Sequence, residues 1–182
     1  MTQDDIFNGG EGDMWFKRNK EQILSENRIE NDPVLKIMQL MKLTPKCVLE
    51  VGASNGYRLQ EVKNRYQCIC YATDCSQEAV KDGASRYPDI KFTCCTASQM
   101  PYQDGQFDLV IINFVFTWID RSLLLRSVAE LDRVISDGGY LIIGDFHPPL
   151  PEKVKYHHLP NEDVWTYKQE YIDVFLSSNI YD

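Results

Sequence analysis

Between residues 46 and 146 short apolar runs alternate with amphipathic stretches. Cys47-Val48-Leu49-Glu50-Val51 is a compact run closed by glycine. Cys68–Thr73, Ile90–Cys95, Phe107–Asn113 and Tyr140–Phe146 are four more such runs. The run at Phe107–Asn113 is nearly all apolar, as expected of a strand buried on both faces. The segments between them carry helical spacing. They predict helices over about 56–65, over 76–86 with Ser76 as the cap, and over about 120–137. The last is capped by Asp120, carries Leu124, Val128, Leu131 and Ile135, and ends at Gly138-Gly139 in a left-handed cap. Strands separated by helical stretches of about ten residues or more predict an α/β fold with a doubly wound, mostly parallel sheet.

Upstream, residues 1–32 are polar, with 8 acids against 4 bases. One helix is expected there, over 16–29. Asp32-Pro33 reads as an N-cap followed by proline at the first helical position, opening a helix over 34–42. Downstream, residues 147–182 begin with Pro148, Pro149 and Pro151. Residues 164–171 have the pattern of a strand, and 172–180 a weak helical one. The divisions predicted are an N-terminal helical cap (1–45), an α/β core (46–146) and a tail (147–182).

Length and composition narrow the function. The chain has 182 residues, and its 19 Lys+Arg against 27 Asp+Glu give a net charge of −8. That balance offers no counterion-release drive toward phosphate, so nucleic acid is disfavoured as a partner. The acidic start, Met1-Thr2-Gln3-Asp4-Asp5, has no apolar run behind it and does not read as a secretory signal. No stretch approaches the roughly 18 apolar residues of a membrane span. The six cysteines, at 47, 68, 70, 75, 94 and 95, form no C-x-x-C pair. They read as reduced thiols of a cytoplasmic protein rather than as a metal site. His157-His158 has no second ligand pair in view, so no metal is expected.

Candidate chemistry gathers at the carboxyl ends of the strands, where open parallel sheets bind ligands. Glu50-Val51-Gly52-Ala53-Ser54-Asn55-Gly56 lies between the first strand and its helix. A dinucleotide fingerprint needs G-x-G-x-x-G, and Ser54 stands at its second glycine. A P-loop fails because no G-K-[S/T] follows. Glu50 suits a cationic or hydroxylated ligand better than a phosphate. Asp74 closes the second strand and is placed to accept hydrogen bonds from a ribose diol, the alternative being a cap on the helix at Ser76. Together these features imply a nucleoside ligand without a diphosphate.

That combination resembles the class I S-adenosylmethionine-dependent methyltransferases, in the group often called type 11, over residues 34–146. Val48-Leu49-Glu50-Val51-Gly52-x-x-x-Gly56 looks like the first family motif, and Asp74 sits at its ribose-binding acid. The stretch from Thr96 through Met100-Pro101-Tyr102 to Phe107-Asp108 resembles its D-A-x-x-L-P-F-x-x-x-x-F-D segment. Phe107–Asp120 resembles the fourth strand and its loop, and Leu131-Asp132-Arg133-Val134-Ile135-Ser136-Asp137-Gly138-Gly139 resembles L-x-R-V-L-K-P-G-G. The resemblance implies a Rossmann-like methyltransferase fold, S-adenosylmethionine as cofactor, and contacts from Glu50, Gly52, Ala53, Ser54 and Gly56. It places Asp74, Cys75, Thr96, Ala97 and Asn113 in the same role. The family's acid after the third strand is Thr96 here. Its hydroxyl, the Ala97 backbone or the Ser98 side chain stands in for it. Tyr57 is placed to cover the cofactor. The family also brings a residue from an N-terminal helix to the cofactor's carboxylate. Arg18 has the charge for that, the alternative being a solvated helix face.

On the acceptor side, Phe114, Phe116 and Trp118 are expected either to wall a substrate pocket or to pack in the core. Strand alternation puts Asp145 and His147 on one face, which makes them a candidate catalytic pair. The expected reaction is methyl transfer to an oxygen or nitrogen of a small molecule. A non-catalytic cofactor-binding module and a nicotinamide-dependent oxidoreductase stay open beside it. Only 36 residues follow Phe146, fewer than the family's two further strands and helix occupy. The sheet is therefore expected to be incomplete at one edge, or the sequence shortened. The exposed edge predicts homodimer contacts or a covering by residues 153–182.

Overall fold

The computed structural model describes residues 2–25 and 27–182. Five parallel strands form one sheet in the order β3-β2-β1-β4-β5. These are β1 Cys47–Val51, β2 Ile69–Asp74, β3 Lys91–Cys94, β4 Phe107–Asn113 and β5 Ile135–Gly144. β1 is hydrogen-bonded on both sides, with Glu50 opposite Ala72 and Ile111. The connections leave β1 in opposite directions, so the crevice where the strand order reverses lies between β1 and β4.

Side-chain alternation sorts the two cores. Val48, Leu109 and Ile111 face one side, where they meet Val34, Leu35 and Met38 of α4 (Pro33–Leu40) and Leu59 and Val62 of α5 (Tyr57–Tyr66). Leu49, Val51, Val110 and Ile112 face the other, against Leu124, Leu131 and Val134 of α7 (Leu124–Val134). Each fully buried Leu or Ile contributes about 1.5–3 kcal/mol over its exposed state. Because β1 and β4 are covered on both faces, their runs show no polar alternation; the polar exceptions are Glu50 in β1 and Asp108 and Asn113 near the ends of β4. α6 (Gln77–Arg86) is capped by Ser76, whose hydroxyl accepts from Ala79 N at 3.0 Å. Asp32 caps α4 through Val34 N and Leu35 N at 3.0 and 3.2 Å, with Pro33 next, as the sequence predicts.

Three local expectations are corrected. The single helix over 16–29 is divided into α2 (Gly12–Ile23) and α3 (Asn27–Glu30), with Glu26 between them outside the described residues. Asp120 does not cap α7, whose N-cap is Leu123. Its carboxylate instead accepts from Ser122 N and, on the other oxygen, from Gln3 N at 2.9 Å. Gly138-Gly139 does not end the helix, which stops at Val134. Gly138, at φ 72°, sits in β5 where the register to β4 shifts between Phe107 and Leu109. The positive φ falls in this register shift rather than in a helix cap.

The ends of the chain meet. α1 (Gln3–Ile6), a π-helical turn over Phe7–Glu11 and α2 form an arm across the carboxyl ends of the strands. The tail forms a separate antiparallel pair, β6 (Glu152–Lys155) with β7 (Trp165–Lys168), followed by α8 (Ile172–Leu176). It does not extend the main sheet: among the described residues β5 pairs with β4 alone. Tyr171 and Phe175 from the tail pack into the α7-side core beside Leu141 and Ile143 of β5.

Candidate active site

The arm and the strand ends enclose a cavity of about 620 Å³. Its floor is the loop after β1, which contains three left-handed residues: Gly52 (φ 69°), Ser54 (φ 53°) and Gly56 (φ 75°). Glycine at 52 is needed twice over. Its backbone resists an L side chain, and a Cβ there would stand 2.2 Å from Val115 Cγ2. The loop is tied down by Ala53 N donating to Thr73 O at 2.8 Å and Gly56 N to Ala53 O at 2.9 Å.

Asp74 holds this loop from the neighbouring strand. One carboxylate oxygen accepts from Ser54 N at 2.8 Å and the other from Ser76 N at 2.9 Å. Burial pushes its carboxyl above the usual range, and the two N–H groups pull against that. Each oxygen has a further lone-pair site for a ligand hydroxyl.

Glu50 is buried at the tip of β1. One of its oxygens accepts from Arg58 Nη1, while Oε2 has no partner among the described residues. Burial pushes Glu50 up to about 7, against the pull of Arg58. Arg58 is itself only 4% exposed and bridges to Asp32 Oδ2 through Nε at 2.9 Å and to Tyr57 Oη at 3.2 Å. Both Tyr57 and Arg58 line the cavity.

The arm supplies the remaining wall with Asp4, Phe7, Gly12, Trp15 and Asn19. It is latched at several points. Gln3 Nε2 donates to Trp118 O and Trp165 O at 2.6 and 2.7 Å, and Gln3 Oε1 accepts from Trp165 N at 2.8 Å. Asp13 accepts from the Ser76 hydroxyl at 2.7 Å. Phe16 and Ile23 of α2 pack on Tyr57 and Ala79. Lys20 pairs with Asp82 at 2.8 Å. Although burial opposes it, the Lys20, Asn55 and Arg86 donors hold Asp82 down at about 2.

Of the residues singled out from sequence, Glu50, Gly52, Ala53, Ser54, Asp74, Cys75, Thr96, Ala97 and Asn113 all lie on the cavity wall. Thr96 Oγ1 pairs with Ser98 Oγ at 3.2 Å. Gly56 lies off the wall and caps α5 instead. Arg18 also lies off it, because its guanidinium is paired with Glu11 and donates to Tyr156 Oη at 2.8 Å.

Asp145 and His147 are not brought together. β5 ends at Gly144, so the strand alternation that would align them does not reach that far. Asp145 turns inward, accepting from Thr117 N at 3.1 Å and Phe146 N at 2.8 Å, and burial pushes it up to about 6 against those two donors. His147 turns outward, 80% exposed, and pairs with Glu170. Phe114 and Trp118 line the cavity, whereas Phe116 is core, stacked on Tyr171 at 5.0 Å. Sequence reasoning missed Asp4, Phe7 and Arg58, of which Arg58, a cation directly after the glycine loop, left a readable signal; the stretch 15–19 that it singled out around Arg18 does reach the wall, through Trp15 and Asn19. Among the described residues no group of three or more His, Cys, Asp or Glu is placed to hold a metal, and no helix is long and apolar enough to cross a membrane.

Comparison with known proteins agrees with this geometry. A family model described as a methyltransferase domain matches residues 49–143. Malonyl-(acyl-carrier protein) O-methyltransferase 1 of Coxiella burnetii is 30% identical over 118 residues, covering 64% of this chain and 39% of the relative. Demethylmenaquinone methyltransferase of Renibacterium salmoninarum is 35% identical over 102 residues, covering 56% of this chain and 42% of the relative. The chain thus spans about two fifths of the length of these curated relatives. Among solved structures, a SAM dependent methyltransferase from Aquifex aeolicus superposes with a TM-score of 0.65 at 19% identity, covering 87% of this chain and 84% of that one. A Burkholderia thailandensis 1,6-didemethyltoxoflavin-N1-methyltransferase, solved with its substrate and S-adenosylhomocysteine, superposes with a TM-score of 0.66 at 16% identity, covering 82% and 65%. At these identities the two structures show the shared fold.

Proposed function

The chain belongs to the methyltransferase domain family, and on that premise we propose that it binds S-adenosylmethionine in the 620 Å³ cavity and transfers the methyl group to an oxygen or nitrogen of a small molecule. The observation that carries this reading is the pairing of two carboxylates across one glycine loop. Asp74 has lone pairs left for a vicinal diol, and Glu50 Oε2 is buried without a partner. An unpaired buried carboxylate oxygen costs about 1–3 kcal/mol, and a ligand ammonium in the cavity relieves that cost. The cofactor, when bound, supplies a methyl group on a positively charged sulfur. Gly52 lets the backbone approach it closely, and Tyr57 and the arm keep water out. Methyl transfer is an in-line displacement that gains mainly from holding two reactants in line, which a latched cavity does without a catalytic dyad. The reading therefore loses nothing with the Asp145–His147 pair.

The nicotinamide alternative is disfavoured at Ser54. Its side chain stands where a pyrophosphate-binding loop needs glycine, and its hydroxyl is buried without a partner. In this reading residues 1–45 form the cap, 46–146 the cofactor-binding core and 147–182 the tail. The acidic balance supports a small-molecule rather than a nucleic-acid acceptor. The six free cysteines support a cytoplasmic location, and the side of β5 that has no partner strand among the described residues supports a homodimer. The test is a transfer assay with methyl-labelled S-adenosylmethionine over a panel of phenols, carboxylates, amines and heteroaromatics. Label in product, with release of S-adenosylhomocysteine, is expected. Cofactor binding with no transfer to any acceptor would favour the non-catalytic module.

A further inference from the structure

Resting on that reading, we propose that the part of the cavity beyond β4 and β5 takes a planar aromatic acceptor, held by the ring pairs Phe7–Trp118 and Phe114–Phe146, with Asp4 receiving the hydrogen of the acceptor's hydroxyl or ring N–H.

Phe114 carries the first part. It follows the last residue of β4 and sits at φ 55°, a left-handed conformation that strains a bulky residue. Its N–H donates to Gly144 O at 2.6 Å, which fixes the turn. The strain does not serve the core: the ring lines the cavity, 48% exposed, edge-on to Phe146 at 5.2 Å and 78°. Phe146 is 37% exposed and also lines the cavity. Two aromatic rings left partly open at a cavity wall, one at the expense of backbone strain, fit a flat apolar ligand that completes their packing. Phe7 and Trp118, 5.7 Å apart, supply a second ring pair on the same cavity.

Asp4 carries the second part. Among the described residues three carboxylates line the cavity: Asp4, Glu50 and Asp74. Glu50 and Asp74 belong to the β1 and β2 tips. Asp4 comes from the arm and lies beside the aromatic side, because Oδ1 accepts from Asp120 N at 2.8 Å and the neighbouring Gln3 is bonded to Trp118 O. Burial raises its carboxyl above the ordinary range, opposed by the Asp120 N–H and reinforced by the Asp120 charge. In the transfer, the acceptor proton passes to Asp4, the freed lone pair forms the bond to the methyl carbon, and the methyl–sulfur electron pair stays with sulfur, discharging its positive charge. Asp4 then returns the proton to solvent.

Calorimetry with 2-naphthol, decahydro-2-naphthol and 2-methoxynaphthalene, each in the presence of S-adenosylhomocysteine, tests the proposal. The expected result is that 2-naphthol binds about tenfold tighter than its saturated analogue, and that Phe114→Leu and Phe146→Leu each weaken it about 3–10-fold. In Asp4→Asn the Asp120 N–H keeps the carbonyl oxygen, which leaves an NH2 group toward the cavity. The preference for 2-naphthol over 2-methoxynaphthalene, about tenfold in the wild type, should then fall toward unity. Affinity for S-adenosylhomocysteine, measured separately, should be unchanged in all three variants. Equal binding of the flat and saturated alcohols, or a preference that survives Asp4→Asn, would overturn the proposal. Failure of the wild type to bind S-adenosylhomocysteine would strike the cofactor reading instead, and the comparison of 2-naphthol with its analogues, repeated without it, would still decide the acceptor class.

Discussion

Arg58→Met is expected to lower the stability of the fold by about 3–5 kcal/mol, because it removes the cation that bridges a buried cluster and leaves two acids behind. Arg58 bridges Glu50 and Asp32, and all three side chains are at most 4% exposed. The loss should depend on pH. Burial already holds the Glu50 carboxyl at about 7, above its ordinary 4.5. A carboxyl whose folded value is raised adds stability below its unfolded value and loses it as pH rises through the folded one. Without Arg58 the charged form is disfavoured further. The gap between wild type and variant should therefore be widest above pH 8 and narrow toward pH 5, where Glu50 is protonated in both. Adding Glu50→Gln to Arg58→Met should recover part of the loss and flatten the pH dependence. Urea unfolding from pH 5 to 8.5 reads all of this. A loss below about 1 kcal/mol, the worth of an exposed pair, would mean that the cluster is solvated.

Gly52→Arg is expected to abolish cofactor binding while leaving the sheet folded. The position is left-handed, and any Cβ meets the Val115 side chain. Val115 is partly buried at the cavity wall rather than in the centre of the sheet. It can therefore yield, with strain confined to the loop and about 1–3 kcal/mol of stability lost. The long cationic side chain then enters the space the ligand needs. Affinity for S-adenosylhomocysteine should drop by at least about 100-fold, as loss of shape fit and a blocked cavity together exceed 2.7 kcal/mol. Far-ultraviolet circular dichroism should match the wild type. Retained affinity would put the ligand elsewhere.

The sheet and much of the site were legible because both rest on local pattern. β4 appears at Phe107–Asn113 with the expected boundaries, since a strand covered on both faces is written as a nearly continuous apolar run. The Gly52 loop and Asp74 were legible because a parallel sheet fixes which strand ends meet. What sequence did not reveal depends on contacts far along the chain. Asp4 and Phe7 reach the cavity through contacts distant in sequence, among them Gln3 with the backbone of Trp118 and Trp165 and Asp4 with Asp120 N, more than 110 residues away. Arg18 had the right charge, but Glu11 and Tyr156, one on its own helix side and one in the tail, claim it. Asp145 and His147 were aligned by an alternation that stops with β5 at Gly144. Gly138 had the expected positive φ but inside β5, where the register to β4 shifts, because β5 starts directly after α7 and leaves no loop for a cap.

Calorimetric titration of the wild-type chain with S-adenosylhomocysteine and, in parallel, with NAD tests the central claim most directly. Saturable one-to-one binding of S-adenosylhomocysteine with no measurable heat from NAD is the expected result. No saturable binding of S-adenosylhomocysteine, or tighter binding of NAD, would contradict the assignment of this cavity to a methyl-donor cofactor.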